Sequence, residues 1–453
     1  MKKFIKGLNV YKEFSEWLLS SRLKKKRFYH ISETLKTLLI SNVDLTSFKN
    51  TILVTYSPAE AEILYQELET SHGSNSDIIY IPDLNLKEED NLEEQLNEAR
   101  VIFELSKFAE DYDGNRIIIT SVDSFIMPVI PKKVISKKTL TLKLGDEIPM
   151  EQLEMQLAIL GYRREKRVSD LGDFSVRGGI IDVFGNGFEN PFRIEYFGDN
   201  IESLREFDIS EGRSIKEHKS IKIYPNNFRE LVSTTSKESN IRYKDYYLFS
   251  YFSPKDTLFI IDEEDRINKR IDFLRKEFSM GGLLGHIERI EFEFEKFISR
   301  FKTVFFTEHF LTRPDAVDVG AIQIGYFARY FSIFFRSLKE WLEEGLTIFI
   351  FVNNSWRQEH LENMIKRYEE TYKFPSKILI RIGLFRKGFL LPKEKLVVVT
   401  EADIWGGYRL RKEKRPKGSD ELDLNSIRYG EFVVHEEYGI GKYKGIEKKE
   451  IDG

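Results

Sequence analysis

Hydrophobic and polar positions change their period twice along the chain. In "NTILVTYSPAEAEILYQELE", an apolar run at Ile52–Thr55 leads into Ser57, Pro58 and Glu60. These three residues supply an N-cap, a proline at the first helical position and a capping-box glutamate, and Ile63, Leu64 and Leu68 follow at helical spacing. The apolar runs "DIIYIPD" (77–83) and "RIIITSVDSF" (116–125) bracket a polar helical segment, the pattern of buried strands in a parallel sheet. From about Lys132 the period becomes two, in "TLTLKL", "FSVRGGIIDVFGNGFENPFRIEYFGDN" (174–200) and "SLREFD", interrupted by a helix around "MEQLEMQLAILGY". After "IKIYP" the α/β pattern returns, with "DTLFIIDEED" (256–265) as a buried strand among segments that read as long and helical. A third strand-to-helix unit runs from "LTIFIFVNNS" into a capping box of Ser355 and Gln358, carries Leu361, Met364, Ile365 and Tyr368 as its apolar stripe, and closes on "KLVVVTEAD".

The expected fold class is therefore α/β and multidomain. A parallel-sheet domain is split into halves at 1–131 and 227–318 by an inserted α+β domain at 132–226, and a further small α/β domain occupies 319–405. The stretch "RLRKEKRPKGSDE" has six basic residues between Arg409 and Lys417 and no apolar period, so 406–428 is expected to be a basic, solvated linker. The segment 429–453, "YGEFVVHEEYGIGKYKGIEKKEIDG", has the turns and alternation of a small β-barrel, but about 25 residues are too few to complete one. It is expected to be a truncated barrel.

Composition narrows this picture in three respects. With 453 residues, 41% apolar and 32% charged, the chain supports several cores and an ion-pair-rich surface. A net charge of −4 argues against a chain coated in nucleic acid, so such contacts would need a local basic patch. Without cysteine there is neither a disulfide framework nor a thiolate metal site. The start "MKKFIKGLNV" lacks a signal-peptide core and no apolar run is long enough to span a bilayer, so a cytoplasmic protein with no membrane partner is expected.

Candidate chemistry is sparse. No G-x-x-x-x-G-K-[ST] is present, but "HISETLKT" (30–37) keeps Lys36 and Thr37 while His30 and Leu35 take the two glycine positions. Cradling phosphate needs backbone N–H groups converging without Cβ atoms in the way, and Glu33 would add a carboxylate beside the anion. The favoured reading is a surface helix with a chance Lys-Thr, and no cofactor is expected for this chain. The strand "FIIDEED" resembles the acidic strand end that holds magnesium in helicase-type NTPases, but without a phosphate loop its acids have nothing to coordinate. "GIGKYKG" (439–445) lacks dinucleotide-loop spacing. The 7 histidines include no i,i+4 pair and G-x-S-x-G is missing, so no catalytic or metal residue is assigned.

One face of the opening hairpin poses a sharper question. In "FRIEYF", Phe192, Ile194 and Tyr196 point one way and Arg193, Glu195 and Phe197 the other. On the preceding arm Phe174 and Val176 alternate with Ser175 and Arg177, and a bulge at Gly178-Gly179 would let Ile181 and Val183 return inward. Arg177, Arg193 and Phe197 are then outward, a residue mixture typical of interface hot spots. The alternative places Phe197 under Arg and Glu stems or against the inserted helix, with Arg193 and Glu195 as an ion pair.

Residues 167–208, "RVSDLGDFSVRGGIIDVFGNGFENPFRIEYFGDNIESLREFD", strongly resemble the domain shared by the excision-repair protein UvrB and the bacterial transcription-repair coupling factors (Mfd). In that family the domain contacts UvrA, and the contact positions fall on Arg177, Arg193 and Phe197. "RIIITSVDSFIMPVIP" resembles the strand before the inserted domain, and "FIIDEED" the second half of a helicase-like fold. The degenerate loop and the lack of a Tyr-rich hairpin after the first α/β unit favour the coupling factors over UvrB. "GEFVVHEEYGIGKYKGIE" resembles the start of their RNA-polymerase-interacting domain. The resemblance implies the N-terminal part of a larger protein whose ATP- and magnesium-dependent translocase modules, acting on double-stranded DNA, lie beyond Gly453. This part would be a non-catalytic recruiter that binds UvrA and links stalled RNA polymerase to nucleotide excision repair. The competing readings are a UvrB-like damage-verifying ATPase with an unusual nucleotide loop, and a purely structural polymerase-binding module.

Overall fold

The computed structural model describes residues 2–20, 24–71, 77–83, 92–109, 114–126, 129–209, 211–227, 247–278, 294–309, 313, 316–327, 329–372, 378–407, 432–435 and 439–442. The chain divides into two compact units, Met1–Thr139 with Tyr224–Lys412, and Leu140–Ile223 with Glu413–Gly453. The elements up to the boundary of the first stretch are α1 (Lys2–Ile5), α2 (Asn9–Leu19), β1 (Lys25–Tyr29), α3 (Glu33–Asn42), β2 (Asn50–Thr55), α4 (Pro58–Ser71), β3 (Asp77–Ile81), α5 (Leu92–Ala109), β4 (Arg116–Ser121), α6 (Val122–Ile126) and α7 (Lys132–Lys138). The second unit contributes β5 (Leu140–Lys143), α8 (Met150–Ile159), β6 (Arg163–Arg164), β7 (Asp173–Arg177), β8 (Ile180–Val183), β9 (Phe192–Phe197), β10 (Asn200–Phe207), β11 (Ser214–Glu217) and β12 (Ser220–Ile223). The first unit resumes with β13 (Thr257–Asp262), α9 (Glu264–Phe278), α10 (Phe294–Ile298), β14 (Lys302–Thr307), β15 (Ala316–Asp318), β16 (Ile322–Gln323), α11 (Phe331–Glu343), β17 (Thr347–Val352), α12 (Ser355–Tyr372), β18 (Ile378–Ile382), β19 (Phe389–Leu391), β20 (Leu396–Thr400) and α13 (Glu401–Trp405).

The first unit holds a seven-stranded sheet of order β15-β1-β14-β13-β2-β4-β3, parallel throughout. Its strands are apolar on both faces because helices cover both. Leu53 points into one cluster with Phe28, Leu258 and Phe306, whereas Ile52 and Val54 point into the other with Phe259, Ile261 and Phe305. A second sheet, β16-β19-β20-β17-β18, is parallel over its last three strands and antiparallel over the rest. Phe349, Phe351, Phe385 and Phe389 of this region share the first cluster with Leu35, Leu38, Leu39 and Leu64. The helices α3 and α4 are thus buried between the two sheets. The opposite face of the second sheet packs on Phe334, Leu338, Leu361 and Ile365.

Several local expectations are corrected. The stretch after the 256–265 strand, read only as long helical segments, also contains a strand, β14, which lies between β1 and β13 inside the parallel sheet. The helix α12 is capped by Asn354, whose Oδ1 accepts from Arg357 N at 2.8 Å, and Gln358 reaches Glu362 instead of completing a box with Ser355. The capping box of this region is Thr400 with Asp403, at the start of α13. Ser57 does cap α4, accepting from Glu60 N at 3.3 Å, but the Glu60 carboxylate turns to Arg386.

In the second unit, β11-β10-β9-β8-β7-β6 form one sheet, antiparallel except for β6 with β7, while β5 pairs with β12. The inner face buries Phe174, Ile181, Val183, Phe192, Ile194 and Leu204 with Leu153 and Leu157 of α8. Gly178-Gly179 is a two-residue hairpin turn between β7 and β8, and the expected bulge is absent. Gly178 sits at φ +59°, and a Cβ on Gly179 would come within 3.2 Å of the Tyr196 carbonyl oxygen, so the turn favours glycine at both positions. Near the C-terminus β21 (Phe432–His435) and β22 (Gly439–Lys442) form an antiparallel hairpin, and no closed barrel is formed among the described residues. The basic linker lies outside the described residues, apart from Gly406 and Gly407.

Candidate functional site

Register places the three candidate interface residues on the outer face of the second unit's sheet. Ser175, Asp182, Arg193 and Arg205 are cross-strand partners in one row. Arg177, Ile180, Glu195 and Ser203 form the next row, and Phe197 pairs with Asn200 beyond it. Phe197 is 73% exposed, so it does not pack under neighbouring stems. Arg177 and Arg193 both reach Asp182, which is 2% exposed. Arg193 grips it with two bonds, Nε to Oδ1 at 2.7 Å and Nη2 to Oδ2 at 2.9 Å, and Arg177 Nη2 adds a third at 3.1 Å. The Arg193 guanidinium also lies 4.6 Å from the centre of the Phe207 ring. Glu195 pairs with Arg205, not with Arg193.

Hydrogen bonding to Asp182 raises the Arg193 pKa above its ordinary value despite partial burial. Two guanidiniums on one carboxylate leave an excess of positive charge and spare N–H donors at the surface, next to a bare phenyl ring. Such a face suits a partner offering carboxylates or carbonyls around an apolar recess.

The sequence "HISETLKT" lies elsewhere, in the first unit, and it is not a surface helix. His30 follows β1 with φ +49°, a left-handed conformation that favours glycine, and its Nδ1 lies 3.0 Å from Asp318 Oδ1. Ser32 caps α3 by accepting from Leu35 N at 3.2 Å. Leu35, Lys36 and Thr37 are all buried. Lys36 pairs with Asp262 at the end of β13, and Thr37 Oγ1 donates to Glu67 Oε2 at 2.8 Å. The acids of "FIIDEED" therefore do have partners, since Glu263 also accepts from Thr307 Oγ1 at 2.9 Å and Glu308 N at 2.8 Å.

Arg386, from the loop before β19, completes this cluster. Its Nε lies 3.0 Å from Glu33 Oε2, its Nη1 donates to Glu60 Oε2 at 2.6 Å, and its backbone N donates to Glu67 Oε1 at 3.2 Å. Thr34 Oγ1 donates to the Lys387 carbonyl at 2.6 Å. Burial pushes Glu67 up to about 7, against the opposing pull of Arg386 and Thr37. Burial likewise pushes Asp262 up to about 6. For Lys36, burial is the largest single influence and opposes the charge, but the charge and hydrogen bond of Asp262 together with the charges of Glu263 and Glu33 hold the ammonium above the ordinary lysine range. Burial opposes ionisation of Glu60 too, but the Arg386 hydrogen bond and charge carry it below the usual carboxylate range. Among the described residues no group of His, Asp or Glu could hold a metal ion, and no helix is long and apolar enough to cross a membrane.

Comparison with known proteins decides what this arrangement is related to. The UvrB interaction domain model matches residues 140–228, and the CarD-like/TRCF RID domain model matches residues 427–453. The transcription-repair-coupling factor of Bacillus subtilis (strain 168) is 27% identical over 410 residues, covering 74% of this chain and 35% of that protein. Those of Staphylococcus aureus (strain USA300) and Staphylococcus epidermidis (strain ATCC 12228 / FDA PCI 1200) are 22% identical and cover 93% of this chain. The chain is a relative of the transcription-repair-coupling factors. It spans 35% to 42% of the length of these relatives.

Sequence reasoning toward the coupling factors misses Asp182 and Arg386. Asp182 has a local signal, an acid at an outward position of "IIDVF" opposite an outward arginine. Arg386 has none, because its carboxylate partners are 319 and 326 residues away in sequence.

Proposed function

We propose that this chain is a recruiting adaptor in transcription-coupled DNA repair, which binds UvrA through the outer face of β7–β10, with Arg177, Arg193 and Phe197 at the centre. The observation that carries this reading is Phe197, a large apolar side chain left bare at the end of β9, on the sheet face that carries Arg177 and Arg193, inside the segment matched by the UvrB interaction domain. The segment matched by the CarD-like/TRCF RID domain would supply the contact to RNA polymerase. The split parallel-sheet domain is then a helicase-like module whose nucleotide site has degenerated. Glu33 and Arg386 fill the place of the phosphate cradle, and this part needs neither ATP nor magnesium. ATP-driven movement on double-stranded DNA would belong to the remainder of the full-length protein.

The test is a binding titration against purified UvrA. Hot-spot truncations weaken binding by about 2 kcal/mol, roughly thirtyfold. Arg177→Ala, Arg193→Ala and Phe197→Ala should each have an effect of that size, and Phe197→Ala should leave the thermal midpoint within about 1 °C because the ring is exposed. Unchanged affinity in all three variants would move the interface elsewhere.

A further inference from the structure

We propose that Asp182 is a positioning residue for this docking surface, the buried carboxylate that holds Arg177 and Arg193 in the orientation a partner meets; this rests on the UvrA-docking reading above. A carboxylate in the middle of a strand and shut off from water is unfavourable unless its oxygens are paired. Here both oxygens are used, and both partners are arginines on the flanking strands. Arg193 is fixed twice, by the fork on Asp182 and by the face of Phe207. Arg177 is the residue before a two-glycine turn and its side chain is 50% exposed, so without Asp182 it would sweep freely over many rotamers. Ordering two such side chains on binding weakens affinity by roughly tenfold, and a buried counter-charge that has already ordered them removes that penalty. Asp182 itself is too buried to touch a partner. Its effect must pass through the two arginines.

Charge and positioning act in opposite directions, which makes them separable. Asp182→Asn removes a negative charge from a cationic face, so by charge alone association with an acidic partner surface would be as fast or faster. Loss of positioning instead speeds dissociation. The experiment measures association and dissociation rates of UvrA with the wild-type chain, Asp182→Asn, Arg177→Ala and the double variant. Expected are about tenfold faster dissociation in Asp182→Asn, with association not slowed, and a fall in the effect of Arg177→Ala from roughly thirtyfold to a few-fold in the Asp182→Asn background. Unchanged dissociation in Asp182→Asn, or effects that multiply in the double variant, would overturn the proposal. If Arg177→Ala, Arg193→Ala and Phe197→Ala all leave binding unchanged, it is the docking reading that fails. Nitrogen-15 NMR of the wild-type chain alone tests the placement without UvrA and without a variant that must fold. Slow rotation about the Cζ–Nε bonds of Arg177 and Arg193 supports it, and rotation as fast as in a solvated arginine overturns it.

Discussion

Replacing Arg386 with alanine is the most demanding test of how the first unit is held together. Its guanidinium stands among the buried Glu60 and Glu67 and the partly buried Glu33, and its own side chain is only 10% exposed. Two unit charges about 4 Å apart interact by about 4 kcal/mol at an effective dielectric of about 20, so Glu60 and Glu67 left without their cation repel one another and Glu33, whose Oε1 still meets Lys387 Nζ at 3.7 Å. Removing one partner of a buried ion pair costs about 3–5 kcal/mol. Glu67 already lies at about 7 and can escape by taking up a proton, which limits the loss under mildly acidic conditions. The expected outcome is a destabilisation of about 3 kcal/mol near pH 6 and more near pH 8. Denaturant unfolding followed by the fluorescence of the 4 tryptophans, Trp17, Trp341, Trp356 and Trp405, reads it across the first unit. A companion variant, Arg386→Met with Glu33→Gln and Glu60→Gln, removes the unpaired charges together with the arginine and should recover most of the loss. A change below about 1 kcal/mol at both pH values would show that water screens the cluster as it screens surface pairs, and the case for a buried ionic closure would collapse.

Further expectations concern the same cluster and the hairpin turn. Calorimetry with Mg-ATP should give no heat of binding with the wild-type chain, and none with Arg386→Ala, whose cavity keeps three carboxylates; micromolar affinity in either would restore an ATPase reading. The raised pKa of Glu67 contributes stability that is complete below its ordinary range and is lost as pH climbs toward about 7, so Glu67→Gln should flatten the fall of the unfolding midpoint between pH 5 and 8. Glu60, shifted the other way, contributes stability that is present above the ordinary glutamate range and is lost only as pH falls below it, which keeps the two windows apart. Gly178→Ala should destabilise the second unit by about 1 kcal/mol in thermal unfolding, because φ +59° strains any Cβ, while Gly178→Asn should be milder.

Period and capping make most of the architecture legible in the sequence itself. β2, β3, β4, β13, β17 and β20 stand where apolar runs place them, and the outward row of Arg193 and Phe197 follows from alternation alone. The strands that pattern does not reveal are those whose polar residues are neutralised from afar. "KKRFY" does not read as a buried strand until Arg27 is seen stacked 4.2 Å from the Phe305 ring and paired with Glu264 at 3.2 Å, groups separated from it by more than half the chain. "KTVFFT" is hidden in the same way, since Lys302 donates to the Leu18 carbonyl at 2.8 Å. The helix α3 reads as exposed so long as Lys36 and Thr37 count as solvated, whereas both meet buried acids from other elements. Local pattern reports propensity and burial of apolar groups. It is silent on which polar groups meet across the fold.

The two ion clusters show what decides whether such a meeting closes a surface or opens one. Around Arg386 one guanidinium serves three carboxylates, and Lys36 is already taken by Asp262. The excess is negative and largely shut off from water, so this cluster repels anions and accepts a cation from its own chain. Around Asp182 the ratio is reversed. One carboxylate serves two guanidiniums, the excess is positive, and Arg177 keeps half of its side chain in solvent. Each arrangement sets guanidinium charge against its acids, but only the second leaves donors pointing outward, and it does so on the face where the sheet leaves Phe197 uncovered. Reversing the ratio should therefore exchange the behaviours. With Arg177 and Arg193 both changed to methionine, Asp182 would be left buried without a partner, and the second unit should lose about 3 kcal/mol or more of stability together with its outward charge. If that double variant unfolds at the wild-type midpoint, Asp182 is hydrated rather than sealed, and the arginines owe their placement to something other than the carboxylate.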